Sequence, residues 1–157
     1  MPYEDYFKLK TPLAEITRMD FPISDPLLLD FESTSPLALI IGEFLTLDSN
    51  YKLARAANPG VPPGPWALFM EKGRSDTQAL GDKKTMVLFK GGYWAETKVF
   101  TGTPTLGAKL EVADLTFAGG TRSGLQTHAG GANPVIGYVT KLAADNGGWL
   151  QFQSALY

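Results

Sequence analysis

The chain has 157 residues, of which 44% are hydrophobic and 19% are charged, and its formal net charge is -2. This length fits one domain, and the slightly acidic balance argues against a nucleic-acid binder, because phosphate affinity needs a concentrated basic surface. The chain contains no cysteine, which excludes disulfides and thiolate metal sites.

Residues 1–36 differ in composition from the rest of the chain. They are rich in acidic residues and carry prolines that forbid a long helix, namely Pro2, Pro12, Pro22, Pro26 and Pro36. They also hold too many large apolar side chains for a solvated tail. We therefore predict an extended N-terminal arm over 1–36 that packs either on its own domain or on a neighbour, followed by a core domain over 37–157. The expected partner contacts are Tyr6, Phe7, Phe21, Leu28 and Phe31.

The N-terminus shows no basic segment followed by an apolar one, so we expect no signal peptide. The longest apolar run lies around Pro36–Ile41 and is far shorter than the roughly 20 residues that span a bilayer. We therefore expect no membrane segment.

Short runs of β-forming residues begin at Leu37. Residues 37–47 read as a strand in which Gly42 marks a bulge or a close backbone approach. The segment 58–65, with four prolines and two glycines, reads as a surface loop. Residues 66–70 follow as a buried strand, and a turn through Gly73 comes after it.

Two hairpins are predicted in the second half of the chain. The first joins Met86–Phe89 to Tyr93–Phe100 through the glycine pair at 91 and 92. The second and clearest joins 135–142 to 149–153 through Asn146, Gly147 and Gly148. Residues 119–131, rich in glycine and poor in large apolar side chains, read as a loop with a role in partner contact. Short strands at intervals of about ten residues, without helices between them, predict an all-β single domain, an antiparallel β-barrel or sandwich.

No residue pattern indicates catalysis. His128 is the single histidine and lacks the context of a nucleophile beside it. Glu96, Glu111 and Asp114 would support glycoside hydrolysis only if two of them faced one cleft. We therefore expect no enzyme, no metal site and no cofactor.

Tyr93, Trp94 and Trp149 lie on predicted strands, where a packing role is the default. The alternative is that they stack sugars or bases on an exposed sheet face. The lack of a basic groove favours sugars among these ligands, so a carbohydrate-binding β-sandwich module remains an alternative function.

The order of short motifs resembles that of tailed-phage capsid decoration (cement) proteins. The motifs combine β-forming residues with turn glycines and are I-I-G-E-F-L-T-L at 40–47, W-A-L-F at 66–69, K-G-R-S-D-T-Q-A at 72–79, T-M-V-L-F at 85–89, Y-W-A-E-T at 93–97, L-G-A-K-L-E-V at 106–112 and P-V-I-G-Y-V at 134–139. The resemblance covers roughly residues 37–153. The positions that it matches are structural: Gly42, Gly73, Asp76, Gly107, Gly137, Gly147 and Gly148.

The resemblance implies a β-rich module on the outside of an assembled phage capsid, made in the host cytoplasm. Its partner would be the major capsid protein, and the module would be a homo-oligomer, a trimer rather than a dimer. A small tail or baseplate component is the alternative within structural proteins. The resemblance brings no catalytic residue, cofactor, nucleic acid or membrane with it.

Overall fold

A computed structural model describes residues 6–11, 18–22, 39–40, 42–47, 53–55, 67–69, 84–88 and 92–155. The strands in this part of the chain are β1 (Phe7–Leu9), β2 (Arg18–Pro22), β3 (Phe44–Leu47), β4 (Leu53–Arg55), β5 (Ala67–Phe69), β6 (Lys84–Leu88), β7 (Trp94–Thr97), β8 (Lys109–Phe117), β9 (Gly120–Thr127), β10 (Gly137–Lys141) and β11 (Leu150–Ser154). A short 3₁₀ turn covers Ala143–Asp145. The protein is all-β, as the sequence predicts.

The strands form two antiparallel sheets. The six-stranded sheet has the order β1-β7-β11-β10-β8-β9, and the five-stranded sheet has the order β2-β6-β5-β3-β4. The six-stranded sheet curls into a half-barrel. Residues just after β7 reach the far strand β9, since the Leu125 amide donates to the Val99 carbonyl at 3.0 Å and the Thr101 amide donates to the Leu125 carbonyl at 2.9 Å.

The two sheets share one hydrophobic core. Phe44 and Leu45 of the five-stranded sheet are buried in the same cluster as Leu110, Leu125 and Phe152 of the six-stranded sheet. Strands that bury one face alternate inward apolar and outward polar residues. The core therefore lies on the face of the six-stranded sheet that carries Leu110, Leu125 and Phe152.

The C-terminal hairpin is confirmed. β10 pairs with β11, with Val139 opposite Phe152 and a bulge between Val139 and Lys141. Gly147 and Gly148 have φ angles of 63° and 89°, the left-handed region that glycine adopts without steric cost.

The predicted hairpin through the glycine pair at 91 and 92 is wrong. β6 pairs with β2 and β5 in one sheet, whereas β7 pairs with β1 and β11 in the other. A glycine pair signals a change of chain direction, and here the chain passes between sheets instead of returning along its own strand.

The prediction of a loop over 119–131 is also wrong for most of its length, because β9 occupies 120–127. Ala118 and Gly119, with φ angles of 49° and 78°, form the tight turn of the β8–β9 hairpin, as expected of a two-residue connection with positive φ at both positions. Gly124 serves close packing, since a Cβ there would lie 2.5 Å from Leu115 Cδ2 and from the Val99 carbonyl oxygen.

The N-terminal segment is partly integrated into the core. β1 pairs with β7, with Phe7 opposite Thr97, and the Phe7 side chain is only 3% exposed. The expectation that Phe7 contacts a partner is therefore corrected. Its aromatic ring already fills space in its own domain, next to Gly42, whose added Cβ would lie 3.3 Å from Phe7 Cβ.

Candidate binding face of the six-stranded sheet

The side of the six-stranded sheet opposite to the core carries a continuous row of exposed side chains. Trp94 on β7 is paired with Gln153 on β11, which is paired with Tyr138 on β10. Their strand neighbours Ala95, Phe152 and Val139 are buried, so the row points away from the core. We call this side the outer face; its residues are Lys8, Lys10, Trp94, Glu96, Lys98, Lys109, Tyr138, Thr140, Trp149, Gln151 and Gln153.

The indole of Trp94 reaches across this face. Its Nε1 donates to Thr140 Oγ1 at 3.2 Å, although β11 separates the strands of these two residues. Neighbouring strands lie about 4.8 Å apart, so the side chains bridge about 10 Å across β11. Only a ring that extends along the sheet surface can span this distance. The residue remains 43% exposed, so part of its side chain is accessible to a ligand.

β1 fixes the backbone beneath this indole. The Trp94 amide donates to Thr11 Oγ1 at 2.7 Å, and the Trp94 carbonyl accepts from the Lys10 amide at 2.8 Å. Because both backbone groups of Trp94 are engaged, its side chain starts from a fixed position. The ring is therefore a preformed platform.

Polar side chains beside the platform form a connected series. Thr140 Oγ1 donates to Gln151 Oε1 at 3.2 Å, and Gln151 Nε2 donates to Glu96 Oε1 at 3.2 Å. The Lys10 ammonium lies 3.6 Å from the other Glu96 oxygen. Burial opposes ionisation of Glu96, but hydrogen bonds from Asn146 and Gln151 and the charge of Lys10 outweigh it, so the pKa of Glu96 lies below its usual value.

Two lysines converge on Trp149. Lys8 Nζ lies 4.2 Å and Lys98 Nζ lies 4.8 Å from the centre of the Trp149 ring, close enough for cation–π attraction. Among the residues that the structure describes, neither ammonium has a carboxylate oxygen within 4 Å. This part of the outer face therefore carries positive charge that its own described side chains do not neutralise.

The structure separates the aromatic residues that the sequence suggested for sugar stacking into exposed and buried ones. Trp94 and Trp149 belong to the outer face, but Tyr93 is only 2% exposed and its ring packs against Phe152 in the core. Tyr138, which sequence reasoning missed, is 42% exposed. Alternation along β10 was the available signal, because the apolar Val139 beside it points inward.

The remaining predicted partner contacts lie elsewhere. Tyr6 is half-buried, and its ring lies 5.1 Å from that of Phe117 in an edge-to-face arrangement. Phe21 is a residue of strand β2. Leu28 and Phe31 lie outside the described residues.

The glycines predicted to be structural have distinct roles. Gly42 and Gly107 have φ angles of 108° and 76° and thus need the left-handed region that glycine tolerates. Gly137 is needed for close packing, since a Cβ there would lie 2.5 Å from the Gln153 carbonyl oxygen. Gly73 lies outside the described residues.

A buried charge network joins the two sheets. Glu43, which is fully buried, accepts from Arg55 Nε at 2.9 Å, from the Ser123 amide at 3.0 Å and from the Ile40 amide at 2.9 Å. Arg122 Nη1 lies 3.7 Å from the same carboxylate. Burial lowers the pKa of Arg122, and the charge of Glu43 opposes that shift. This network explains why charged side chains stand inside the fold.

His128 belongs to a second polar cluster. Its Nε2 lies 2.7 Å from the Asn133 carbonyl and 3.7 Å from Glu111 Oε2. Glu111 also accepts from Gln126 Nε2 at 2.7 Å and from Asn133 Nδ2 at 3.1 Å. These bonds hold the segment after β9 against β8, which is a structural role.

The described residues contain no group of three or more His, Cys, Asp or Glu side chains placed to hold a metal ion. In the same part of the chain, no helix has the length and apolar character needed to cross a membrane. Comparison of the chain with family models, with curated proteins and with solved structures found no match.

Proposed function

We propose that this protein is a virion structural protein that binds the outer surface of an assembled phage capsid. It stabilises the mature shell by clamping neighbouring major capsid subunits. The observation that carries the proposal is the position of the N-terminal strands: β1 is an edge strand of the six-stranded sheet, and β2 is an edge strand of the five-stranded sheet.

Edge strands suit a protein that joins subunits. One side of such a strand presents backbone N–H and C=O groups that a neighbouring chain can pair with. The backbone bonds of β1 to another strand, within the described residues, all go to β7 and the residue after it. The N-terminal segment thus offers two separate edges to neighbours.

The turn glycines support the resemblance on which the proposal also rests. Gly42, Gly107, Gly147 and Gly148 all have positive φ angles, so these motif positions are required by the backbone itself. An order of motifs built from such positions depends on the fold of the chain more than on its amino-acid composition.

Stabilisation would follow from mass action. A ligand that binds the mature lattice, and not the separated subunits, stabilises the lattice by RT ln(1 + [L]/Kd) at each site. Many symmetric sites on one shell multiply this effect, and a trimer that engages several subunits at once gains further through effective concentration.

The test uses the full chain and empty expanded phage capsids. We expect the protein to co-sediment with the capsids and to raise their melting temperature as its concentration increases. Native mass spectrometry of the free protein is expected to give a trimer. Absence of co-sedimentation with capsids, or binding to isolated tails in its place, would refute the proposal.

The arm contacts need point substitutions, because deletion of residues 1–36 would also remove Phe7 from the core. We expect Leu28→Ser and Phe31→Ser each to weaken capsid binding by roughly 10- to 150-fold, the equivalent of burying one large apolar side chain. Leu106→Ser, at a side chain that is 66% exposed, is the matched control. Unchanged affinity of both arm variants would contradict the role of the arm.

A further inference from the structure

We propose that the outer face of the six-stranded sheet binds an acidic polysaccharide, one whose sugar rings carry carboxylate or sulfate groups. This site is separate from the capsid contacts of the N-terminal arm. It adds to a shell-binding protein the capacity to hold a charged glycan.

The charge of the outer face is the first argument. Lys8, Lys10, Lys98 and Lys109 lie on it, and Glu96 is the one carboxylate among the residues that define it. The chain as a whole has a net charge of -2. A positive surface on a negative protein indicates a specific anionic ligand, since charge complementarity guides encounter and suppresses wrong partners.

The aromatic residues are the second argument. A sugar ring has a face of C–H groups that packs on a flat aromatic ring, and the indole of Trp94 is held in place by Thr140 at a residue that is 43% exposed. Tyr138 stands in the same row, separated from Trp94 by Gln153. The indole of Trp94 reaches across β11 towards β10, the strand of Tyr138, so the aromatic surface extends along the row, which suits an extended chain of sugars.

The polar groups between the rings are the third argument. Gln153 is exposed, and its Nε2 donates to the Tyr93 carbonyl at 3.3 Å; its amide oxygen adds an acceptor to the row. The exposed Thr140 offers a further hydroxyl oxygen for sugar hydroxyl groups. Hydroxyl-rich ligands need such neutral acceptors beside a stacking surface.

The same groups disfavour the other occupants. The centre of a protein–protein interface is depleted in charged residues, whereas the outer face combines its lysines with amides and a carboxylate. A nucleic acid would bring a phosphate for every nucleotide, whereas one of the four lysines of the face, Lys10, is already paired with Glu96. An acidic glycan adds many hydroxyl groups to its charges, and the amides and the threonine hydroxyl of the face can bind these hydroxyl groups.

The experiment measures binding of the full chain to alginate oligosaccharides, which are uronic acid polymers, by isothermal titration calorimetry. Neutral dextran of equal length and single-stranded poly(dT) are the comparison ligands. We expect binding to alginate that weakens as salt is raised, with at least about tenfold weaker binding to dextran and to poly(dT). Equal or tighter binding of either comparison ligand, or no binding of alginate, overturns the proposal.

Variants locate the site. Trp94→Ala and the double substitution Lys8→Ala with Lys98→Ala are each expected to weaken alginate binding by at least about tenfold. The double variant should also reduce the dependence of affinity on salt. Lys84→Ala, on the five-stranded sheet, is the matched control and should bind normally. Alginate binding that is the same in Trp94→Ala as in the unaltered chain, with circular dichroism showing an intact fold, overturns the assignment.

The test of alginate binding is independent of the proposal that the protein binds a capsid. Capsid co-sedimentation of Trp94→Ala is expected to be normal, and Phe31→Ser is expected to bind alginate normally. Failure of one function therefore leaves a distinct signature from failure of the other.

Discussion

Replacement of Glu43 by glutamine is expected to be among the most destabilising single-atom changes in this protein. The Glu43 carboxylate is fully buried and is the shared acceptor for Arg55 and Arg122. An amide keeps the shape but loses the negative charge, and its nitrogen is a donor where the native oxygen accepts.

The magnitude follows from what remains buried. The side chains of Arg55 and Arg122 are only 16% and 5% exposed, so neither guanidinium can turn fully to water. Removal of one partner from a buried ion pair costs about 3–5 kcal/mol, because the remaining charge stays inside without its nearest opposite charge. For a domain of this size, that loss lowers the melting temperature by roughly 6–20 °C.

Urea denaturation followed by circular dichroism measures this loss as a change in the free energy of unfolding. Glu96→Gln is the comparison variant, since the Lys10 side chain beside Glu96 is 42% exposed and its ammonium can be hydrated when the charge of Glu96 is removed, so the loss should be smaller. A loss below about 1 kcal/mol in Glu43→Gln would refute the view that the carboxylate holds the two sheets together.

Three further substitutions test the packing and the charges. Gly124→Ala is expected to destabilise the fold by about 1–3 kcal/mol in urea denaturation, because the new methyl group overlaps Leu115 and the Val99 carbonyl; an unchanged midpoint would contradict that close approach. Phe7→Ala is expected to cost about 3–5 kcal/mol in the same assay, and a cost under 1 kcal/mol would place Phe7 outside the core. The lowered pKa of Glu96 implies stability that is present above its unfolded value of about 4.3 and is lost as pH falls through the folded value. Glu96→Gln should therefore flatten the decline of melting temperature below pH 5, and an unchanged acid limb would argue against this linkage.

Local turn chemistry made part of the fold predictable. The C-terminal hairpin followed from Gly147 and Gly148 between β-forming runs, because the turn and both strands are adjacent in sequence. The pairing of β6 and β7 was wrong because Gly92 shows only that the chain turns. Which strand each of them joins depends on contacts with β2 and β11, which are distant in sequence.

The sequence predicted which type of side chain could form the candidate site, but not which residues belong to it. The sequence suggested exposure of Trp94 and Trp149 only as the alternative to a packing role, and it grouped them with Tyr93. The direction of a strand side chain depends on register, and a shift by one residue reverses it. For this reason the structure buries Tyr93 and exposes Tyr138. The contact of Lys8 with Trp149 depends on the pairing of β1 with β7, whose strands are far apart in the sequence.

The pairing of β1 with β7 has a consequence for how the protein is made. Phe7 stands opposite Thr97, and β7 is held on its other side by β11. The sheet that contains the first strand synthesised is therefore complete only after the last strand has been made. Contacts of such long sequence separation form slowly. At a synthesis rate of roughly 5–20 residues per second, the N-terminal segment spends several seconds with its strands unpaired. During that interval it can pair with a second nascent copy, and exchange of identical strands is a direct route to an oligomer.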